Sequence, residues 1–140
     1  MIARPSITGR RTALGSVACL VAAFGTWMAW FAWDTVRDVR PGTTDTTGPY
    51  DLWQGIGAAA TLLVLIVVAL RWLTAVSVVL AVSLGFTAGF TFSAATDPEA
   101  DGLYVIGAGL LLVVMLLCTA GVAWLARLLV HRPDAHPPAD

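Results

Sequence analysis

The sequence predicts an all-α fold, an integral membrane four-helix bundle with both termini in the cytoplasm (N-in/C-in). Three observations carry this. Of 140 residues, 58% are hydrophobic and only 12% are charged, where a soluble domain carries about a quarter charged residues. The apolar residues gather into four runs of about 19 to 24 residues, and a helix needs about 20 to cross roughly 30 Å of hydrocarbon. The arginines are divided unevenly between the connections, which sets an orientation.

The first span is expected at about 12–33, preceded by a cytoplasmic N-terminus, 1–11. Arg10 and Arg11 ahead of an apolar run resemble a twin-arginine export signal, and Ser16-Val17-Ala18-Cys19 faintly resembles a lipoprotein cleavage site. Only seven residues separate Arg11 from Cys19 and apolar sequence continues beyond it, so a retained span is the better reading. The second span is expected at 52–70, with Gly48 as a cap, Pro49 where a missing N–H costs nothing, and Asp51 favouring the helix dipole. The third is expected at 72–92. Leu52 to Phe92 is 41 residues interrupted by one charge, Arg71. As one helix it would be about 60 Å long, two crossings, so a tight hairpin is placed at Arg71, although no Gly or Pro marks it. The fourth span is expected at 103–126, and the Pro-rich tail 131–140 reads as disordered and cytoplasmic.

With four spans, Arg4, Arg10, Arg11, Arg71, Arg127 and Arg132 share one side. Arg37 and Arg40 lie on the other, near Asp34 and Asp38. The arginine-rich side is expected to be cytoplasmic. Seven of the nine acids sort oppositely, with Asp34, Asp38, Asp45, Asp51, Asp97, Glu99 and Asp101 outside, and the other two, Asp134 and Asp140, are in the tail. Trp33, Tyr50, Trp53, Phe92 and Tyr104 mark the outer interface, and Trp72 and Trp124 the inner one.

Lipid tails are as apolar as leucine, so membrane helices gain packing energy mainly by close approach, which small residues permit. The first helix carries Gly15, Ala18, Ala22, Gly25, Ala29 and Ala32 at spacings of 3, 4, 3, 4 and 3, a heptad-like small seam. The third carries Ser77, Ala81, Gly85, Gly89 and Ser93, each four apart. Ser83, Thr87 and Thr91 form a second stripe on it, nearly opposite the first. A helix with two such faces is expected to pack on two sides and to sit centrally. In the second helix Leu62 to Leu70 is bulky apart from Ala69 and is expected to face lipid.

No ionisable residue lies in the middle of any run. Proton-coupled transporters place carboxylates or histidines there, intramembrane haem needs axial His, and intramembrane proteolysis needs a base. His131 and His136 fall in the tail. Cys19 and Cys118 sit in different spans, with no CxxC and no metal spacing. Asp97-Pro98-Glu99-Ala100-Asp101-Gly102 imitates the start of a calcium loop, but the twelfth position is Ala108 rather than the required Glu, so a solvated acidic turn is the better reading. Trp27, Trp30, Phe31 and Asp34 could share a face able to hold an organic cation, against the plainer reading of interfacial packing. Gln54 is suited to cross-linking helices by hydrogen bonding. A net charge of −1 gives nothing to attract nucleic acid. No catalytic residue, cofactor or metal is expected.

All eight basic residues are Arg, and the chain has no Lys and no Asn, which suggests a GC-rich bacterial genome. Thr47-Gly48-Pro49-Tyr50-Asp51-Leu52-Trp53-Gln54, opening an apolar helix after a Trp-rich first span, is similar to a group of small four-helix membrane proteins of actinobacteria. The resemblance implies the same layout and source and carries over no site residue. The expected role is a non-catalytic accessory or scaffolding component of a bacterial plasma membrane. It would pack against other membrane proteins or itself, within the lipid bilayer, through the seams Gly15, Ala18, Ala22, Gly25 and Ala29 and Ala81, Gly85 and Gly89. The alternative is a small oligomeric channel or transporter lined by Gln54, Ser83, Thr87 and Thr91.

Overall fold

The computed structural model describes residues 7–34, 50–98 and 102–130. They form four helices, α1 (Ile7–Trp30), α2 (Leu52–Ala69), α3 (Ala75–Ala95) and α4 (Tyr104–Val130). Each is long and apolar enough to cross a membrane. The expected tail at 131–140, Gly48, Pro49, Arg37, Arg40 and the 99–101 part of the acidic turn lie outside the described residues. The helix start expected at Gly48 and Pro49 falls later, because Asp51, expected in the first turn, is instead the extended N-cap and α2 begins at Leu52.

α1 begins earlier than the apolar run, because its first turns take in Arg10 and Arg11. The hairpin falls at 70–74 without Gly or Pro. The chain leaves α2 in tightening turns, in which the Arg71 amide reaches the Val68 carbonyl (3.2 Å) and the Leu73 amide reaches that of Ala69 (2.9 Å). Thr74 then turns extended (φ −68°, ψ 151°) and its hydroxyl accepts from the Ser77 amide, capping α3. The third helix therefore starts at Ala75 rather than Trp72 and runs to Ala95 rather than Phe92. Gly102 (φ 79°) takes the left-handed conformation that leads into α4.

The helices run up, down, up and down. Gly15, early in α1, faces Leu73 just after α2, while Trp30 at the end of α1 lies over Gly57 near the start of α2. α1 and α3 rise together, with Leu20 against Gly85 and Trp27 against Gly89. α3 packs most extensively on α1, then on α4, and α2 joins mainly α1. Every described arginine (Arg10, Arg11, Arg71, Arg127) thus falls at one end of the bundle. Every described carboxylate (Asp34, Asp51, Asp97) falls at the other.

The core follows α1 and α3, with Ala23, Val78 and Val82 fully buried among Cys19, Trp27, Phe31, Ala81 and Phe86. α3 supplies the hollows and α1 fills them. A Cβ at Gly89 would stand 2.6 Å from the Trp27 Cβ, and one at Gly85 would overlap the Leu20 carbonyl oxygen. α2 buries Ala58, Leu62, Ile66 and Ala69 and leaves Leu63, Val64, Val67 and Val68 outside. Only one side of its bulky half therefore faces away from the bundle. α4 buries least, chiefly Thr119 and Ala123.

Candidate functional site

The densest polar arrangement is at the carboxylate end. Asp51 caps α2 from an extended conformation, and Gln54 three residues on folds back so that its Oε1 accepts from the Asp51 amide (2.6 Å), as in a capping box. Its Nε2 donates to Asp34 Oδ2 at 3.0 Å. Gln54 is 0% exposed. This one side chain therefore ties Asp34, four residues beyond the end of α1, to the start of α2. The Asp-x-x-Gln spacing was the visible signal of the cap, and Asp34 as its partner was not readable locally.

Beneath this clasp the aromatic rings close on one another. Trp27 meets Phe31, Phe86, Phe90 and Tyr50 at centroid distances of 4.6, 5.2, 5.3 and 5.8 Å, the last three edge to face, the geometry favoured by ring quadrupoles. The Trp27 Nε1 donates to Ser93 Oγ (3.0 Å) and the Trp30 Nε1 to Thr61 Oγ1 (3.1 Å). Both indoles thereby satisfy their one polar group across a helix boundary. Tyr50 lies near Asp34 and Asp97, and burial, then those two charges, raises its pKa above the usual phenol value.

This geometry corrects the cation-site expectation. Trp27 and Phe31 are buried in the α1–α3 interface, Trp30 turns toward α2, and Asp34 already accepts from Gln54. The four do not form one open face.

Of the expected polar lining, Ser83 and Thr87 are buried on α3, and their hydroxyls have no hydrogen-bond partner among the described residues. Thr91 is half-buried and donates to the Thr87 carbonyl (2.8 Å). Gln54 engages Asp34 and Asp51, so it is not joined to that stripe.

The two small-residue series have different fates. Ala81, Gly85 and Gly89 are buried and receive α1. On α1, Gly15 meets Leu73, but Ala18, Ala22, Gly25 and Ala29 are exposed, and a Cβ at Gly25 would meet nothing within 4 Å. The face of α1 that packs within the chain is Cys19, Ala23, Thr26, Trp27 and Phe31, turned away from that series.

Cys19 is buried and Cys118 exposed, both as free thiols. No group of three or more His, Cys, Asp or Glu placed to hold a metal occurs among the described residues. His131 and His136 lie outside them. Comparison with known protein families, curated proteins and solved structures finds no match to this chain.

Proposed function

We propose that this chain is a multi-pass protein of a bacterial plasma membrane, with its arginine end in the cytoplasm. Four apolar helices and the separation of arginines from carboxylates along the bundle support this reading. A cysteine at Gly102 should then react with an impermeant maleimide from outside intact cells, and one at Arg71 only after lysis. The reverse pattern would overturn the orientation.

The role we propose is non-catalytic, that of an accessory component that packs against another membrane protein or a second copy of itself. One observation carries it. The fold uses the α3 seam internally and leaves the small series of α1, Ala18, Ala22, Gly25 and Ala29, facing outward. Such a surface admits a neighbouring helix closely. In a Cys118→Ser background, Ala22→Cys should cross-link to a defined species in native membranes, and adding Gly25→Leu should abolish the product. Random or absent cross-linking at Ala22 would refute the role.

A second reading, an oligomeric channel or transporter, is favoured by the unpartnered hydroxyls of Ser83 and Thr87, which a transient solute or water could satisfy. It requires flux in liposomes holding only this protein, lowered by Ser83→Ala. No flux of common ions or osmolytes would eliminate it.

A further inference from the structure

We infer that the groove between α3 and α4 at the arginine end seats one acyl chain of an anionic phospholipid, with its phosphate on Arg127. This rests on the membrane reading above.

The groove has a volume of about 320 Å³. Its cause is side-chain size. Where α3 starts and α4 nears its end, the lining includes Ala75 on one helix and Ala120 and Ala123 on the other, side chains too short to fill the space between the helices. Val76 and Leu80 on one side and Trp124 on the other form the walls, and all three are exposed. Because the two helices run oppositely, Leu80 and Ala120 are at the inner end, while Ala75 and Arg127 are at the mouth. From Ala120 to Arg127 is about 10 Å of helix rise. The lining is hydrocarbon throughout that length and becomes cationic at its end.

That order of groups is a phospholipid's own, with a phosphate at the interface and methylenes beneath. A guanidinium has five donors in a planar fork that matches phosphate oxygens, so Arg127, already engaged within the chain, keeps donors for a phosphate. The indole of Trp124 suits the interfacial level. Arg10, Arg11 and Arg71 share this end while the described carboxylates stand at the other, and the tail that follows α4 adds one arginine and two aspartates, so arginines outnumber acids in the segments at the mouth, which favours an anion. A zwitterionic lipid would fill the groove equally well but gain less from that field. Basic clefts between membrane helices on the cytoplasmic side are a recurrent setting for anionic headgroups.

The test is native mass spectrometry of the detergent-purified, delipidated chain titrated with palmitoyl-oleoyl phosphatidylglycerol or phosphatidylcholine. The wild type should prefer the anionic lipid by roughly fivefold, the size of one basic residue's contribution at a membrane surface. Arg127→Gln should erase the preference and Arg71→Gln should leave most of it. Ala120→Leu, at an exposed position, should reduce binding of both lipids. A preference that survives Arg127→Gln, or that Arg71→Gln abolishes equally, overturns the proposal, as does unchanged binding in Ala120→Leu. Far-ultraviolet circular dichroism confirms that each variant is folded. Alkaline extraction of cell membranes separates the two readings. Release without detergent would defeat the membrane assignment itself, whereas retention without lipid preference would defeat only this site.

Discussion

Two chemically identical substitutions, Gly85→Ala and Gly25→Ala, should move stability in opposite directions. At Gly85 the added Cβ overlaps the Leu20 carbonyl oxygen and stands 3.0 Å from the Ala23 Cβ and the Leu20 carbonyl carbon. Two of these are backbone atoms and cannot rotate away, so α1 and α3 must part by on the order of 1 Å, a gap that forfeits a quarter to a half of each contact's attraction. The neighbouring contact of Trp27 on Gly89 opens with it. We expect a loss of about 3 kcal/mol, the upper part of the range for overpacked interfaces. At Gly25 the same methyl meets nothing within 4 Å, and replacing a mid-helix glycine should add about 0.5–1 kcal/mol. Unfolding in mixed micelles by increasing dodecyl sulfate, followed by helical circular dichroism and tryptophan emission, measures both. Gly85→Ala within about 0.5 kcal/mol of wild type, or Gly25→Ala as the more damaging change, would refute the assignment of one glycine to the internal seam and the other to the outside.

Gln54→Leu should cost about 2 kcal/mol, because it strips partners from the Asp34 carboxylate and the Asp51 amide. The same unfolding assay reads it, and a neutral result would deny the clasp. Ser83→Ala should be neutral or stabilising by up to about 1 kcal/mol, since its buried hydroxyl has no partner to lose; a clear loss of stability would mean that the hydroxyl is satisfied by something beyond the described chain. In a Tyr104→Phe background, the absorbance titration of Tyr50 should have a midpoint above the ordinary phenol value of about 10, and Asp34→Asn with Asp97→Asn should lower it. The folded state holds that proton more tightly than the unfolded chain. Tyr50's contribution is therefore fully present below the unfolded value and is lost as pH rises through the folded one.

The four helices were legible because the length of an uncharged apolar run is a direct physical constraint. The hairpin was legible to within a few residues through Arg71. Its actual boundary depends on Thr74, whose capping role was available in the Thr-x-x-Ser spacing but is easily hidden inside an apolar stretch. The face of α1 was not legible. Residue size suggested that small meets small, and Gly85 does meet Ala23 and the Leu20 backbone, but four residues on the Trp27 side chain fills the hollow at Gly89. Periodicity reveals which residues share a face. It does not reveal whether the partner helix brings a hollow or a knob. The same limit applies to the clasp, since Gln54 pairs with Asp34 across a connection and nothing in either local sequence names the other.

That asymmetry bears on why α1's outward series is small. α2 presents Leu63, Val64, Val67 and Val68 outward, and α4 presents Leu110, Val113, Val114 and Leu117, as expected of faces whose only neighbour is lipid. On α1 the outward side divides. Leu14, Val17 and Val21 are exposed on one flank, while Ala18, Ala22, Gly25 and Ala29 form a low strip beside them. The internal fold does not require that strip to be low, because all four residues are exposed, and Gly25 carries a helix-propensity cost although a Cβ there would meet nothing within 4 Å. Against lipid alone, leucine would serve there as well as on α4. A partner helix lying along the strip gives the smallness a cause. Ala18→Leu, Ala22→Leu and Gly25→Leu should therefore leave the unfolding transition of the isolated chain near wild type while removing its association in membranes. If all three preserve association, the strip has no role in it; if they unfold the isolated chain, the strip belongs to the internal packing after all.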